Sequence, residues 1–162
     1  MTGVQTCALP ILGWGTSAAK TVTLSFWVRS SLTGTFGGAV NNENSGGYYS
    51  YPFTYTISAA NTWEYKTVTI SGPTSGTWDT SNSVGMAVWF SLGMGSTYAG
   101  TAGAWSSNLY YGTTGATSVI GTNGATFYIT GLQLEVGTQA TPFEYRHYSA
   151  ELAMCKRYYW QM

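Results

Sequence analysis

Thr21-Val-Thr-Leu-Ser-Phe-Trp-Val-Arg29 is the stretch of sequence that decides the fold. Its apolar residues recur at every second position: Val22, Leu24, Phe26 and Val28. This period is typical of a β-strand that buries one face. Trp27 falls on the other face, so its ring is predicted to point away from the core.

Four later segments show the same alternation: Tyr51–Ile57, Trp63–Ile70, Gly85–Leu92 and Ala125–Val136. The last segment changes phase at Thr130-Gly131, where a β-bulge would return its apolar residues to the core side. Strands separated by Gly, Ser and Thr turns predict an all-β antiparallel sandwich, with Thr33–Tyr49 and Gly93–Gly124 as long irregular stretches. The residues expected between the two sheets are Phe26, Phe53, Ile57, Val88, Phe90, Phe127, Ile129 and Leu134.

The chain changes character after Pro142, because five of its twelve charges lie in Glu144–Met162. Ser149 can cap a helix that runs to about Tyr159, packed by its apolar side chains against the sandwich edge or a neighbouring chain. His147 is predicted to make a hydrogen bond at the helix entry. Residues 12–145 are therefore interpreted as the sandwich module, and residues 146–162 as a helix or stem to a following region.

The first eleven residues, Met1–Ile11, read codon for codon as a translated adapter from a short-read sequencing library. The segment lacks the basic region and the apolar run of a signal peptide. We therefore interpret residues 1–11 as artefactual and expect them to join no sheet. The chain is then a metagenomic fragment whose own N-terminus is missing.

Composition excludes several classes of partner. Charged residues make up 7% of the chain, and six acids balance six bases, so there is no basic surface for nucleic acid. No apolar run approaches the roughly 20 residues that a bilayer needs. Cys155 is the only cysteine after residue 11, which excludes an intrachain disulfide in the module. Such a neutral, hydroxyl-rich surface suits a polyhydroxylated ligand or a neighbouring subunit.

Segments along almost the whole module carry a family resemblance. They include Val22-Thr-Leu-Ser-Phe-Trp-Val-Arg-Ser-Ser31, Tyr51-Pro-Phe-Thr-Tyr-Thr-Ile57, Lys66-Thr-Val-Thr-Ile70, Gly100-Thr-Ala-Gly-Ala-Trp105, Ala125-Thr-Phe-Tyr-Ile-Thr-Gly131, Gln133-Leu-Glu-Val-Gly137 and Ala140-Thr-Pro-Phe-Glu144. Together they resemble a module of bacteriophage tail-fibre and virion structural proteins, which is similar to jelly-roll carbohydrate-binding modules. The resemblance implies a jelly roll with a strand before Leu12, so this sandwich is expected to lack its first strand or strands. It also implies a location in the virion and no catalytic motif.

Catalysis and cofactors find little support in the sequence. A glycosidase needs two carboxylates at a controlled separation, and nothing indicates which of the six acids are neighbours. His147 has no partner spacing that indicates zinc or a catalytic triad. Asp79 and Glu43 could supply oxygen ligands to a structural calcium ion. We predict no catalytic residue, metal site or cofactor.

Aromatic residues are the candidates for ligand binding. Trp27 and Trp89 are both out of phase with the apolar residues of their strands, so each is expected on an outer face. The other candidates, Tyr98, Trp105, Tyr110 and Tyr111 with Asn108, crowd one loop region without charge. Aromatic planes beside neutral donors suit a saccharide, whereas packing beneath loops or a partner subunit is the alternative interpretation for each ring.

Two functions remain open from the sequence. The first is a non-catalytic virion or tail-fibre module that binds host cell-surface glycans through these aromatic rings. The alternative is a structural spacer or decoration domain that packs against other virion subunits, for example in a homotrimer. In both, neither nucleic acid nor membrane is a partner.

Overall fold

The computed structural model describes residues 2–4, 9–43, 47–80, 84–145 and 147–156. The chain forms nine β-strands and two α-helices within these ranges, with a short 3-10 helix at Ser96–Tyr98. In chain order they are β1 (Thr2–Val4), α1 (Leu9–Leu12), β2 (Val22–Ser30), β3 (Gly34–Asn41), β4 (Ser50–Ile57), β5 (Glu64–Ile70), β6 (Met86–Ser91), β7 (Ala99–Gly100), β8 (Gly112–Thr113), β9 (Phe127–Val136) and α2 (Tyr148–Lys156).

Two antiparallel sheets pack face to face. One has the strand order β1-β6-β3-β4 and the other has the order β5-β2-β9, while β7 and β8 form a small parallel pair. The chain crosses between the two large sheets after β1, β2, β4, β5 and β6. The prediction of an all-β antiparallel sandwich is confirmed.

Aromatic side chains join the two sheets. The Phe26 ring on β2 makes edge contacts at 5.0 Å with Tyr55 and with Phe90, which lie on the opposite sheet. Of the predicted core, Phe26, Phe53, Ile57 and Val88 are buried, and Phe90, Phe127 and Leu134 are half-buried against them. Burying these side chains contributes about 2 kcal/mol each, so this layer is the main source of stability.

Ile129 departs from the predicted core, since 37% of its surface is exposed. Its orientation is as expected: Ile129 pairs with Val28, and Leu134 pairs with Leu24, so both face inward. The predicted bulge brings them to one side, because the register shifts between Thr130 and Gln133. Ile129 is nevertheless exposed because β9 is the outer strand of its sheet, beyond which no described strand continues the layer.

The largest error of the sequence interpretation is β3. Its residues Gly34–Asn41 were predicted to be irregular, yet they form a central strand between β6 and β4. A Cβ at Gly38 would collide with the Phe53 ring and with the Trp89 carbonyl oxygen. The glycine therefore marks a close approach within the sheet and not a turn.

The first residues require a second correction. Thr2–Val4 pair with Met86–Val88 of β6, so the expectation that residues 1–11 join no sheet is wrong for this segment. Ile11 is 64% exposed and Leu12 only 5%, and the module boundary between them stays a prediction. Cys7 lies outside the described residues, and the adapter origin of the segment stays a prediction.

The stretch from Gly93 to Gly124 forms a covering layer on the outer face of the four-stranded sheet. Ser50 and Ser106 exchange backbone hydrogen bonds of 2.9 Å, and Gly103 donates to the Pro52 carbonyl at 2.9 Å. Further along, Thr117 donates to the Thr35 carbonyl at 2.7 Å. This layer leaves few residues of that outer face in contact with solvent.

The C-terminal helix is present as α2. The Nδ1 atom of His147 accepts the backbone N–H of Ser149 at 3.4 Å and lies 2.8 Å from its hydroxyl oxygen. The predicted hydrogen bond at the helix entry is thus confirmed, with His147 and not Ser149 as the capping residue. The sequence predicts that Leu152 and Tyr159 pack this helix against the sandwich edge or a neighbouring chain. Leu152 is 37% exposed, which does not support packing on the sandwich, and the alternative of a neighbouring chain stays a prediction. Tyr159 lies outside the described residues. No helix in the described part of the chain is long and apolar enough to span a bilayer.

Candidate functional site

The aromatic residues singled out from the sequence lie in three separate places. Trp105 belongs to an aromatic cluster. A second group lies on the side of the four-stranded sheet: Trp89, Tyr98, Tyr110, Tyr111 and Asn108. Trp27 lies on the outer face of the three-stranded sheet. Trp27 and Trp89 are therefore on opposite sides of the sandwich. One small ligand cannot contact both, because the two packed sheets alone are about 10 Å apart.

Trp105 is packed among other rings. Its indole stacks on Tyr49 at 5.5 Å and meets Tyr51 at 5.3 Å, and edge contacts of 5.5 Å join it to Trp14 and Trp78. Its Nε1 donates to the Ser71 carbonyl at 2.7 Å. We call these five aromatic residues the Trp105 cluster. Trp105 is half-buried among these rings, and its role as a ligand contact stays a prediction.

Trp89 and two tyrosines form a row on the covering layer. Trp89 meets the ring of Tyr111 edge-on at 4.8 Å, and Tyr111 lies 5.7 Å from Tyr98. The Trp89 Nε1 donates to the Asn41 side-chain oxygen at 3.2 Å, which orients the indole. Only Tyr98, at 49% exposure, offers much of its ring to solvent.

Tyr110 and Asn108 bond within the same layer. The Tyr110 ring lies against Gly100, and its backbone N–H donates to the Ser50 hydroxyl at 3.1 Å. The Asn108 amide donates to the Tyr110 hydroxyl and to the Ser106 hydroxyl, both at 3.2 Å. These polar groups hold the loop in shape, which leaves them fewer hydrogen bonds to offer a ligand.

Glu43 follows β3 and lies near this row. One of its carboxylate oxygens is buried with no hydrogen-bond partner among the described residues, and its φ of 44° is unusual for a residue other than glycine. Burial raises the pKa of Tyr111, and the negative charge of Glu43 raises it further. In the described ranges, no three His, Cys, Asp or Glu side chains come together as metal ligands.

The outer face of the three-stranded sheet presents a different arrangement. Trp27 on β2 pairs with Tyr65 on β5, and their rings lie 5.4 Å apart with 43% and 42% of each residue exposed. Arg29, two residues further on β2, pairs with Tyr128 on β9, which is also exposed. We call Trp27, Arg29, Tyr65 and Tyr128 the Trp27 face.

Hydroxyl groups surround these rings. Thr67, Thr69 and Thr130 are exposed on the same outer side, because they alternate with inward-facing residues of their strands. The hydroxyls of Thr67 and Thr130 can donate and accept hydrogen bonds within reach of a ligand that lies on Trp27. Thr69 pairs with Thr23 at the covered end, and its hydroxyl donates to the Thr138 carbonyl at 3.5 Å. The surface thus combines flat apolar rings with neutral polar groups.

Residues 137–145 cover the other half of this outer face. Thr23 donates to the Gly137 carbonyl at 2.9 Å, and the Thr141 backbone N–H donates to a Glu135 carboxylate oxygen at 2.9 Å. The Glu144 N–H donates to the Gln133 side-chain oxygen at 2.9 Å. We call residues 137–145 the covering segment. It buries the Thr23 end and leaves the Trp27 end open.

Tyr65, Tyr128 and Arg29 were missed as site residues. Nothing in the linear sequence sets them apart, because they lie on three different strands. What identifies them is the register between strands. Once Trp27 is assigned to the outer face, Arg29 shares that face, and so do Tyr65, which pairs with Trp27, and Tyr128, which pairs with Arg29. Register between strands distant in sequence could not be read from alternation alone.

Two acids of the sandwich have lowered pKa values. A hydrogen bond from Lys66, and a further one from the Ala59 backbone N–H, lower the pKa of Glu64. Hydrogen bonds from the Thr141 hydroxyl and the Gln133 side chain lower the pKa of Glu135. A general acid for glycoside cleavage needs the opposite shift. Neither group is therefore suited to that role.

A cleft of about 550 Å³ lies away from all three places, lined by Ser31, Leu32, Thr33, Ala60, Thr117, Ser118, Gly121 and Thr122. It contains no aromatic ring and no charged group. With nothing to stack on a ligand or to orient it by charge, the cleft is a weaker candidate than the Trp27 face.

The chain matches no protein-family model, no curated protein and no solved structure.

Proposed function

We propose that this chain is a non-catalytic glycan-binding module of a bacteriophage virion or tail-fibre protein, and that it contacts host-surface glycans through the Trp27 face. The observation that carries the proposal is the side-by-side exposure of Trp27 and Tyr65 on one flat sheet surface. Large aromatic side chains are usually mostly buried in a folded domain. A contiguous exposed group of rings marks an interaction surface.

The chemistry of this surface suits a sugar. The C–H face of a pyranose can lie on the indole of Trp27, while its hydroxyls bond to Thr67 and Thr130. Such a shallow site buries little area, so a single site binds weakly after the loss of rigid-body freedom. Several copies on one particle would raise the effective affinity by avidity. A virion, which displays many copies of its structural proteins, fits this requirement.

Two further observations support the proposal. The resemblance to phage tail-fibre and virion modules spans almost all of the chain from Leu12 onward, which favours attachment as the role. The lowered pKa values of Glu64 and Glu135 favour binding without hydrolysis. The expected location is the virion, and the expected partners are host cell-surface glycans and other virion subunits.

The test compares two exposed aromatic residues on opposite sides of the sandwich. The chain is displayed in multiple copies and applied to a glycan array and to isolated bacterial surface polysaccharide. Trp27→Ala is expected to abolish binding, while Tyr98→Ala, of similar exposure on the other side, is expected to retain it. The reverse result would move the ligand to the row of Trp89, Tyr111 and Tyr98. Binding that is unchanged in both variants would contradict the proposed surface.

One observation favours the alternative of a structural spacer or decoration domain. The inward-facing residues Ile129 and Val136 on the outer strand β9 are exposed, and a neighbouring subunit could cover them. If this is their role, light scattering will show a stable oligomer, such as a trimer, that Ile129→Ser dissociates. A monomer at all accessible concentrations would count against it.

A further inference from the structure

Arg29 is the charged residue at the centre of the Trp27 face. Its guanidinium carbon lies 5.7 Å from the centre of the Tyr128 ring. Its Nε–H is buried and has no acceptor among the residues that the structure describes. A buried donor without a partner costs about 1–3 kcal/mol.

On the three described strands of this sheet, no acidic side chain lies beside Arg29 on the Trp27 face. Glu64 and Lys66 pair with Val28 and Phe26, so they lie on the inward side of the sheet and bond to each other at 2.6 Å. Glu135 is outward-facing but pairs with Thr23. Thr23 lies six positions from Arg29 on β2, about 20 Å along the strand, which is more than twice the screening length at physiological salt.

The spacing of Arg29 and Trp27 fits one substituted sugar. Residues two apart on a strand project from the same face about 7 Å from each other. A sugar ring stacked on Trp27 can therefore reach the guanidinium with a group attached to the ring. The planar guanidinium favours an acceptor with two oxygens in one plane, which is the geometry of a carboxylate.

We infer that the Trp27 face selects a saccharide that carries a carboxylate, as a uronic acid does, with the sugar ring on Trp27 and its carboxylate on the Arg29 guanidinium. This inference rests on the proposed function and specifies the class of glycan. A nucleic-acid backbone is a poorer fit, because a phosphate chain is bound by several cations and this face carries one.

The probes are a hexuronic acid oligosaccharide and the neutral oligosaccharide obtained from it by reducing the carboxyl groups to alcohols. The two share linkage and length and differ only in charge. Binding of the full chain is measured by calorimetry or by array signal at low and at high salt. The wild type is expected to prefer the acidic probe by about tenfold, with a preference that falls as salt rises.

Three substitutions separate charge from stacking. Arg29→Gln is expected to bind both probes equally at the level of the neutral one, and Arg29→Lys to keep part of the preference. Trp27→Ala is expected to lose both probes. Thermal unfolding of each variant verifies that the fold is retained.

The outcomes that overturn the inference are distinct from those that overturn the proposed function. Equal wild-type affinity for the two probes, or an unchanged preference in Arg29→Gln, overturns the inference and leaves glycan binding in place. An equally strong response to a sulfated oligosaccharide that carries no carboxylate overturns the assignment of a carboxylate. Wild-type binding to no glycan at all overturns both.

Discussion

The indole of Trp27 lies over Gly131, at the bulge of the neighbouring strand. A Cβ added at Gly131 would come within 3.3 Å of Trp27 Cδ1 and 3.9 Å of the Phe143 ring. Gly131 also has a φ of +59°, in the left-handed region. The bulge therefore does two things: it returns the apolar residues of β9 to the core side, and it gives the Trp27 ring space on the outer side.

We expect Gly131→Ala to weaken glycan binding as well as stability. The substitution costs about 1 kcal/mol for the left-handed backbone and, in addition, pushes against the Trp27 ring. Gly124→Ala is the matched control, because Gly124 has a φ of +74° and open space around it. Thermal unfolding should show a loss in both variants, whereas affinity should fall only in Gly131→Ala. Equal affinities would show that the position of the indole does not matter for binding.

Trp105→Ala is expected to destabilise the domain by about 3 kcal/mol, as removal of a packed ring does. The reason is the loss of the ring contacts in the Trp105 cluster together with the hydrogen bond to Ser71. Trp105→Phe should recover most of the packing and lose about 1 kcal/mol for the missing indole N–H. Urea denaturation measures both. An unchanged free energy of unfolding in Trp105→Ala would instead make this ring available for ligand.

Gly38→Ala is expected to destabilise the sandwich by several kcal/mol, because the added methyl group meets the Phe53 ring and the Trp89 backbone inside the sheet. Gly95→Ala serves as the control, since Gly95 has no neighbour within 4 Å of the added carbon and an ordinary φ of −75°. Its melting temperature should stay close to that of the wild type. A stable Gly38→Ala protein would mean that β3 can shift within its sheet.

Acid should detach the covering segment. The pKa of Glu135 is lowered in the folded chain, so its bonds to Thr141 contribute stability above the unfolded pKa of about 4.3. This contribution is lost as the pH falls through the lower folded pKa. A double-mutant cycle of Glu135→Gln and Thr141→Val should show a coupling free energy at pH 7 that disappears near pH 2. A coupling that persists in acid would assign it to packing.

Alternation in the sequence located most of the sandwich. It placed the strands that begin near Val22, Tyr51, Glu64, Met86 and Phe127, and the phase change of the last strand correctly indicated a bulge. It failed for β3 because Gly37 and Gly38 leave no side-chain pattern to read. Glycines let this strand pack closely within the sheet. A glycine-rich stretch without alternating side chains, however, is interpreted from sequence as a loop.

The candidate site was harder to predict for a related reason. Trp27 lies in a strand whose apolar residues alternate, so its outward direction could be predicted. Trp105 lies in a Gly-Ala-Trp-Ser-Ser context without any period, and the covering layer folds it back among Trp14 and Trp78. Nothing in the linear sequence distinguishes the burial of Trp105 from that of Trp27. Only the tertiary structure shows that Trp105 packs among other rings and that Trp27 lies on the surface.

The covering segment also determines how the domain responds to mechanical load. A pull on α2 reaches residues 137–145 before it reaches any strand, and the hydrogen bonds at Glu144 and Thr141 point sideways to β9, so they open one after another. Peeling the residues from 138 to 145 releases about 27 Å of chain before the sheets carry tension. Trp27 and Tyr65 are anchored on β2 and β5 and stay in place meanwhile. If a particle is attached to a surface through the Trp27 face, tension from flow extends residues 138–145 first and leaves the binding surface intact.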